Sequence, residues 1–222
     1  MIALTNIDFC YGESDFRLKI DKLEIAPGTK IAIVGPSGSG KTTLLRLIAG
    51  ISTPDAGEIK VGDSVVSGMD DSARRDFRIS RIGFVFQEFE LIDYLNVHEN
   101  ILLPYMINRS MSLDSTIRKR ADELADSMSL GDKAKRFIGQ LSQGEKQRVA
   151  ICRALISNPS LILADEPTGN LDPRNKTKIV DSLFKCAADT DATLLMVTHD
   201  HSLLDGFDRV IDFEQLRKAG VA

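Results

Sequence analysis

No apolar run in this 222-residue chain approaches the roughly eighteen residues that a membrane span requires; the longest, Ile101 to Ile107, contains Pro104. The opening residues, Met1 to Asp8, lack a basic segment followed by an apolar core, so no secretory leader is expected. Basic charge is in no excess. With 28 Lys+Arg against 32 Asp+Glu the net charge is −4, which argues against a broad basic face and hence against direct nucleic-acid binding as the main role. Cysteine is scarce: Cys10, Cys152 and Cys186 are odd in number, widely spaced and in no CxxC arrangement. A disulfide scaffold or thiolate metal site is therefore not expected, whereas reduced thiols in the cytosol are. Internal repeats, low-complexity tracts and linker-like Pro/Gly/Ser stretches are missing too. One domain spanning 1–222 is expected, with no room for a regulatory domain after Val210-Ile211-Asp212-Phe213. What is present, 43% hydrophobic and 27% charged residues, describes an ordinary globular protein.

Two kinds of strand pattern can be read along the chain. Phe16, Leu18 and Ile20 alternate with Arg17 and Lys19, and Glu58-Ile59-Lys60-Val61 alternates between the turn residues Pro54-Asp55-Ala56-Gly57 and Gly62-Asp63. These predict half-buried strands of an N-terminal antiparallel sheet. By contrast, residues 30–34, 82–86, 161–164 and 194–197 are short and almost continuously apolar, the pattern of strands buried on both faces of a parallel sheet. Each is followed by polar residues: Gly35-Pro36-Ser37, Gln87, Asp165-Glu166 and Thr198-His199. Ligands of open α/β sheets sit beyond the carboxyl ends of the strands, so four such ends predict one site. Residues 88–153 read as a helical insertion. Within them Ile117, Ala121, Leu124 and Met128 form one helix face, and Arg118, Lys119, Asp122 and Glu123 form a solvated one. His98 and His201 are expected at the surface.

Gly35-Pro36-Ser37-Gly38-Ser39-Gly40-Lys41-Thr42 fits GxxxxGK[ST] between a buried strand and a helix beginning at Thr43. Glycines let backbone N–H groups wrap a phosphate, and the positive end of the helix faces the anion. Lys41 is placed for the β- and γ-phosphates and the Thr42 hydroxyl for Mg²⁺, with Thr43 beside them in the nucleotide-binding set. Asp165, at a strand tip, is a second candidate for Mg²⁺, directly or through water. Glu166 is placed to orient or deprotonate a water. Two adjacent carboxylates leaving an apolar strand are costly unless a cation or water network uses them.

At Leu141-Ser142-Gln143-Gly144-Glu145-Lys146-Gln147-Arg148 the chain resembles the ABC ATPases, whose signature is LSGGQ. The family's other motifs are similar and follow in its order. Tyr11 matches the aromatic residue that stacks on adenine, Gln87 the Q-loop, and Asp165 with Glu166 the Walker B pair. Gly169-Asn170-Leu171-Asp172 matches the D-loop and His199 the H-loop switch. The resemblance implies a P-loop NTPase (RecA-like) α/β fold, with a parallel-sheet core, an N-terminal antiparallel subdomain and the helical insertion. It implies ATP and Mg²⁺ as ligands, with Mg²⁺ held by Thr42, Gln87 and Asp165, and Glu166, His199 and Gln87 in catalysis. It also implies a head-to-tail homodimer in which Ser142 and the Gly144 N–H meet the γ-phosphate bound by the other copy. Integral membrane permease subunits are the implied partners, seated at the cytoplasmic face of the inner membrane.

The signature departs from the family at Gln143 and Glu145, which keeps Ser142 and Gly144 but puts its geometry and the rate in question. Residues 82–87, 95–104 and 164–172 look like the branch of lipoprotein-release, macrolide-efflux and cell-division ATPases. An importer ATPase for a small polar solute shares much of this pattern. A soluble ABC protein acting on nucleic acid would need two cassettes or long insertions, and a small-metabolite kinase would leave the signature unexplained. Finally, Phe89, Leu91, Ile92, Tyr94 and Leu95 are expected as exposed apolar residues of a docking groove for the membrane subunit.

Overall fold

The computed structural model describes residues 1–12, 16–108, 110–169, 171 and 173–218. Its first sheet joins β1 (Ile2–Cys10), β2 (Arg17–Ile25), β4 (Ala56–Val61) and β5 (Ser64–Val65) in the antiparallel order β2-β1-β4-β5. The alternation expected in β2 and β4 is present, and β1, which pairs with both, is an addition. Its apolar positions change parity midway: Ile2 and Leu4 are buried, then Ile7 and Phe9. The cause is a register shift against β4 between Thr5 and Asp8, where Asn6 turns left-handed at φ 51°. A bulge inserts one residue and so breaks the period of two.

The second sheet is parallel, in the order β6 (Ile82–Val85), β7 (Leu161–Asp165), β8 (Thr193–Thr198), β3 (Lys30–Val34), β9 (Arg209–Asp212). Four of these strands are the expected apolar runs. β9 is an edge strand in which only Ile211 is buried, so it carries no continuous apolar run. Successive side chains serve opposite faces of the sheet. Leu161, Leu163, Leu195 and Val197 pack with the antiparallel sheet and with α1 (Lys41–Ile48) and α2 (Asp71–Arg81). Ile162, Ala164, Leu194 and Met196 pack with α3 (Val97–Ile107), α4 (Ser115–Ser127), α5 (Gln143–Leu155) and α6 (Pro173–Asp189). A short α7 (Phe213–Lys218) follows β9. No helix among the described residues is long and apolar enough to cross a membrane.

Register places the functional loops at one level. Val34 lies beside Thr198, Asp165 beside Val197, and Val85 beside Ala164, so four carboxyl ends open on the same side. Close approach holds β6 there: a Cβ on Gly83 would sit 2.4 Å from the Ala154 carbonyl oxygen of α5. In α4 and at its C-cap, Ala121 and Met128 are buried with Ile117 and Leu124 packed against them, and the four expected charges are exposed. His201 is exposed, but His98 is not: half-buried, it places Nε2 3.2 Å from Asp122 and ties α3 to α4.

Candidate functional site

The loop from β3 to α1 needs glycine at two points. Gly38 and Gly40 have φ of 74° and 109°, and a Cβ on Gly40 would meet Phe16 Cζ at 2.9 Å. The helix begins at Lys41, two residues earlier than Thr43. Lys41 is 5% exposed, and its Nζ donates to the Gly35 and Pro36 carbonyls at 2.8 and 2.9 Å. The loop thus holds its own lysine under the turn, 3.8 Å from Glu166 Oε1. Ser39 Oγ is buried without a hydrogen-bond partner.

A cavity of about 530 Å³ collects the expected residues. Tyr11, Ser37, Gly38, Gly40, Lys41, Thr42, Thr43, Gln87, Glu166 and His199 line it, drawn from the ends of β1, β3, β6, β7 and β8. Gly35, Pro36 and Ser39 frame the loop without lining the cavity. Tyr11 is 40% exposed; its hydroxyl is 3.2 Å from Thr43 Oγ1, and its ring stands edge-on to Phe9. Phe16 is a second aromatic wall, 5.7 Å from the Tyr11 ring. Its strand alternation had marked it only as a packing residue.

The acids are set apart by environment. Asp165 is buried, and burial pushes its carboxyl above the usual range, partly offset by the Thr42 hydroxyl that donates to it at 3.1 Å. A buried carboxylate, a hydroxyl and the nearby Gln87 amide are hard oxygen donors. Such a sparse set fits Mg²⁺, which takes few protein ligands and completes its octahedron with water and phosphate oxygens. Among the described residues no cluster of three His, Cys, Asp or Glu forms a larger cage. Glu166 adopts a left-handed backbone at φ 46°, strained for a glutamate, with its N–H bonded to the Val197 carbonyl at 3.0 Å. Its Oε2 contacts Nδ1 of His199. The carboxylate is therefore clamped between a lysine and a histidine at the cavity wall.

Ser142 and Gly144 are not part of this cavity. Ser142 caps α5, and Gly144 lines a separate cavity of about 480 Å³ with Leu171 and residues of α6. Asn170 and Asp172 of the D-loop lie outside the described residues. Ser142 and Glu145 form a capping box, and Glu145 also pairs with Lys133 at 2.7 Å. Lys133, then the Ser142 backbone and hydroxyl, hold the Glu145 carboxyl down to about 2. A depressed carboxyl stabilises the fold fully above its unfolded value, about 4.3, and loses that contribution as pH falls through about 2. Melting curves between pH 5 and 2 are expected to fall less steeply for Glu145→Gln than for the unaltered chain; parallel curves would remove the ion pair from acid stability.

The segment after Gln87 differs from expectation. Phe89 is buried at 8% exposure, Leu91 packs on the helical core, Ile92 and Leu95 are half-buried, and Tyr94 alone is fully open at 79%. Two residues outside any motif cause this. Asn100, wholly buried, exchanges hydrogen bonds with both backbone groups of Ile92 and donates to the Leu95 carbonyl at 3.1 Å. Arg153 of α5 donates to the Phe89 and Glu90 carbonyls of a left-handed turn. An asparagine inside an apolar helix is the one sequence signal that could have shown the first; an arginine in an ordinary helix shows nothing. The apolar groove lies instead between α2, β6, α3 and α5, floored by Phe84, Phe86, Leu103, Pro104 and Ile107.

The family profile described as ABC transporter matches residues 18–169. The chain is 43% identical over 208 residues to lipoprotein-releasing system ATP-binding protein LolD 1 of Rhodopirellula baltica, covering 92% of this chain and 90% of that protein. It is 40% identical over 216 residues to the LolD of Nitrobacter winogradskyi, covering 96% and 92%. Among solved structures, the dimer of the ATP-binding cassette MJ0796 in a post-hydrolysis state with ADP and Pi superposes with a TM-score of 0.86. There the identity is 36%, covering 96% of this chain and 94% of that one.

Proposed function

The chain belongs to the ABC transporter family as an ATP-binding, ATP-hydrolysing subunit, and from that premise we propose that two copies close head to tail on ATP to drive membrane subunits of a lipoprotein-release type. The single observation behind this is the split of the site: the P-loop, Glu166 and the switch histidine share one cavity, with Asp165 behind it on the Thr42 hydroxyl, and the signature serine and glycine lie outside it. Ser142 and Gly144 would then reach a phosphate only in another copy. The solved MJ0796 cassette is dimeric, and the relatives named LolD supply the system.

Tyr11, with Phe16 beside it, gives adenine a stacking platform worth about 1–3 kcal/mol. The Ser37–Gly40 N–H groups and Lys41 hold the β- and γ-phosphates. Thr42, Asp165 and Gln87 would hold Mg²⁺, which would supply neutralisation of phosphate charge. Glu166, fixed by its contacts with Lys41 and His199, orients the attacking water and takes its proton. The partner copy's Ser142 and Gly144 N–H then close on the γ-phosphate, where a helix N-terminus favours the anion.

Motion leaves the site through Gln87. The turn after it is held by Arg153, on the same helix that Ser142 caps, so closure at the signature pulls on the groove wall. The groove receives a cytoplasmic helix of the membrane subunit and places the chain at the inner membrane's cytoplasmic face. Its open side chains are Ile107 at 62% exposure and the neighbouring Met106 at 51%, in place of the residues following Gln87. Leu103→Asp combined with Ile107→Asp is expected to abolish co-purification with the membrane subunits, while ATP binding and folding persist. Full-yield co-purification would move the docking site elsewhere. A large extracytoplasmic domain in the membrane subunit supports release; a companion solute-binding protein supports import.

A further inference from the structure

The hydroxyl of Ser142 is already engaged. It donates to Glu145 Oε2 at 2.8 Å, and the Ser142 backbone N–H donates to the same oxygen at 2.7 Å. The other carboxylate oxygen, Oε1, lies 2.7 Å from Lys133 Nζ. Lys133 ends the single 3-10 turn Gly131–Lys133 that follows α4, and its N–H bonds the carbonyl of wholly buried Leu130 at 2.9 Å. The ammonium is therefore presented from an anchored base. Both side chains of the pair are mostly shielded, 22% and 16% exposed.

A carboxylate at this place conflicts with its surroundings. On the reading above, on which this inference rests, a γ-phosphate arrives at Ser142 from the other copy. A bare Glu145 would set a like charge against that phosphate and compete with it for the serine hydrogen. Like charges brought together at an interface weaken association. A glutamine at 145 could cap the helix without charge and would need no counterion.

We propose that Lys133 is a positioning residue of the composite ATP site: it neutralises Glu145 and holds the carboxylate by its other oxygen, Oε1, so that Ser142 and the first N–H groups of α5 can receive the partner's phosphate. Lys133 stands eight residues before Leu141, outside every motif. Its link to the signature exists only through the folded contact.

The test uses the full chain carrying Glu166→Gln to retain ATP, with dimerisation followed by light scattering, and the otherwise unaltered chain for kcat and KM. Lys133→Met is expected to weaken ATP-driven dimerisation about tenfold or more, because the uncompensated charge faces phosphate. Added salt should restore part of the loss by screening. Binding of a fluorescent ATP analogue to dilute monomer should not change. Lys133→Arg should behave as the parent does. Lys133→Met together with Glu145→Gln should recover dimerisation, which a merely structural lysine would not allow. Parent-like dimerisation of Lys133→Met, or a double variant as weak as the single one, overturns the proposal. If Lys133→Met does not fold, Glu145→Gln decides: dimerisation no weaker than the parent's is expected, and weaker dimerisation overturns the proposal. Ser142→Arg is the control for the underlying reading. If it still dimerises, signature contact across the dimer has failed, whatever Lys133→Met does.

Discussion

Glu166→Gln is expected to lower steady-state ATP hydrolysis by roughly 10²–10⁴-fold, the usual worth of a positioned general base, while ATP affinity is kept. The substitution preserves size and the contact toward His199, and the P-loop cradle stays as it is. What disappears is the carboxylate that accepts a proton from water. Glu166 projects from a left-handed backbone position, held at both ends by the Val197 carbonyl and the Gly169 N–H. Its side chain is aimed by the fold, so a glutamine should occupy the same place without the chemistry. The variant should accumulate as an ATP-loaded dimer, visible by size-exclusion chromatography with light scattering. Near-normal turnover would falsify the assignment of Glu166 as base.

Lys41→Ala and Ser142→Arg should separate the two halves of the site. Lys41 makes two charge-assisted hydrogen bonds to loop carbonyls and is the buried ammonium at the cavity floor. Losing contacts of that kind to phosphate costs about 3 kcal/mol or more, roughly two orders of magnitude in affinity. Nucleotide binding should fall below detection at micromolar ATP. Ser142→Arg alters a residue outside the cavity, so binding to monomer should persist while dimerisation and hydrolysis are lost. Equilibrium titration with a fluorescent ATP analogue, beside a turnover assay, tells the two apart. If both variants lose monomer binding equally, Ser142 does not act across a dimer.

The local features of the site were legible in the order of residues. A glycine-rich loop between an apolar strand and a helix states its own chemistry, because phosphate binding there depends on contiguous backbone. The same holds for Asp165-Glu166 at a strand tip and for the capped start of α5. The two-sided burial of β3, β6, β7 and β8 was equally visible, since strands covered by helices on both faces carry unbroken apolar runs. The ordered motifs then named the family.

What depended on distant segments meeting was decided only by the tertiary structure. The bulge at Asn6 hid β1, because one inserted residue reverses which side chains face inward. Asn100 and Arg153 drew Phe89 and its neighbours inward, through hydrogen bonds to backbone groups that any residue carries. Lys133 found Glu145 by the packing of α4's end against the α5 cap, and Phe16 reached the cavity because Gly40 leaves room for its ring. Short-range chemistry is written in residue type and spacing. Long-range partners are set by register and packing, and the chain order of two residues carries no record of either.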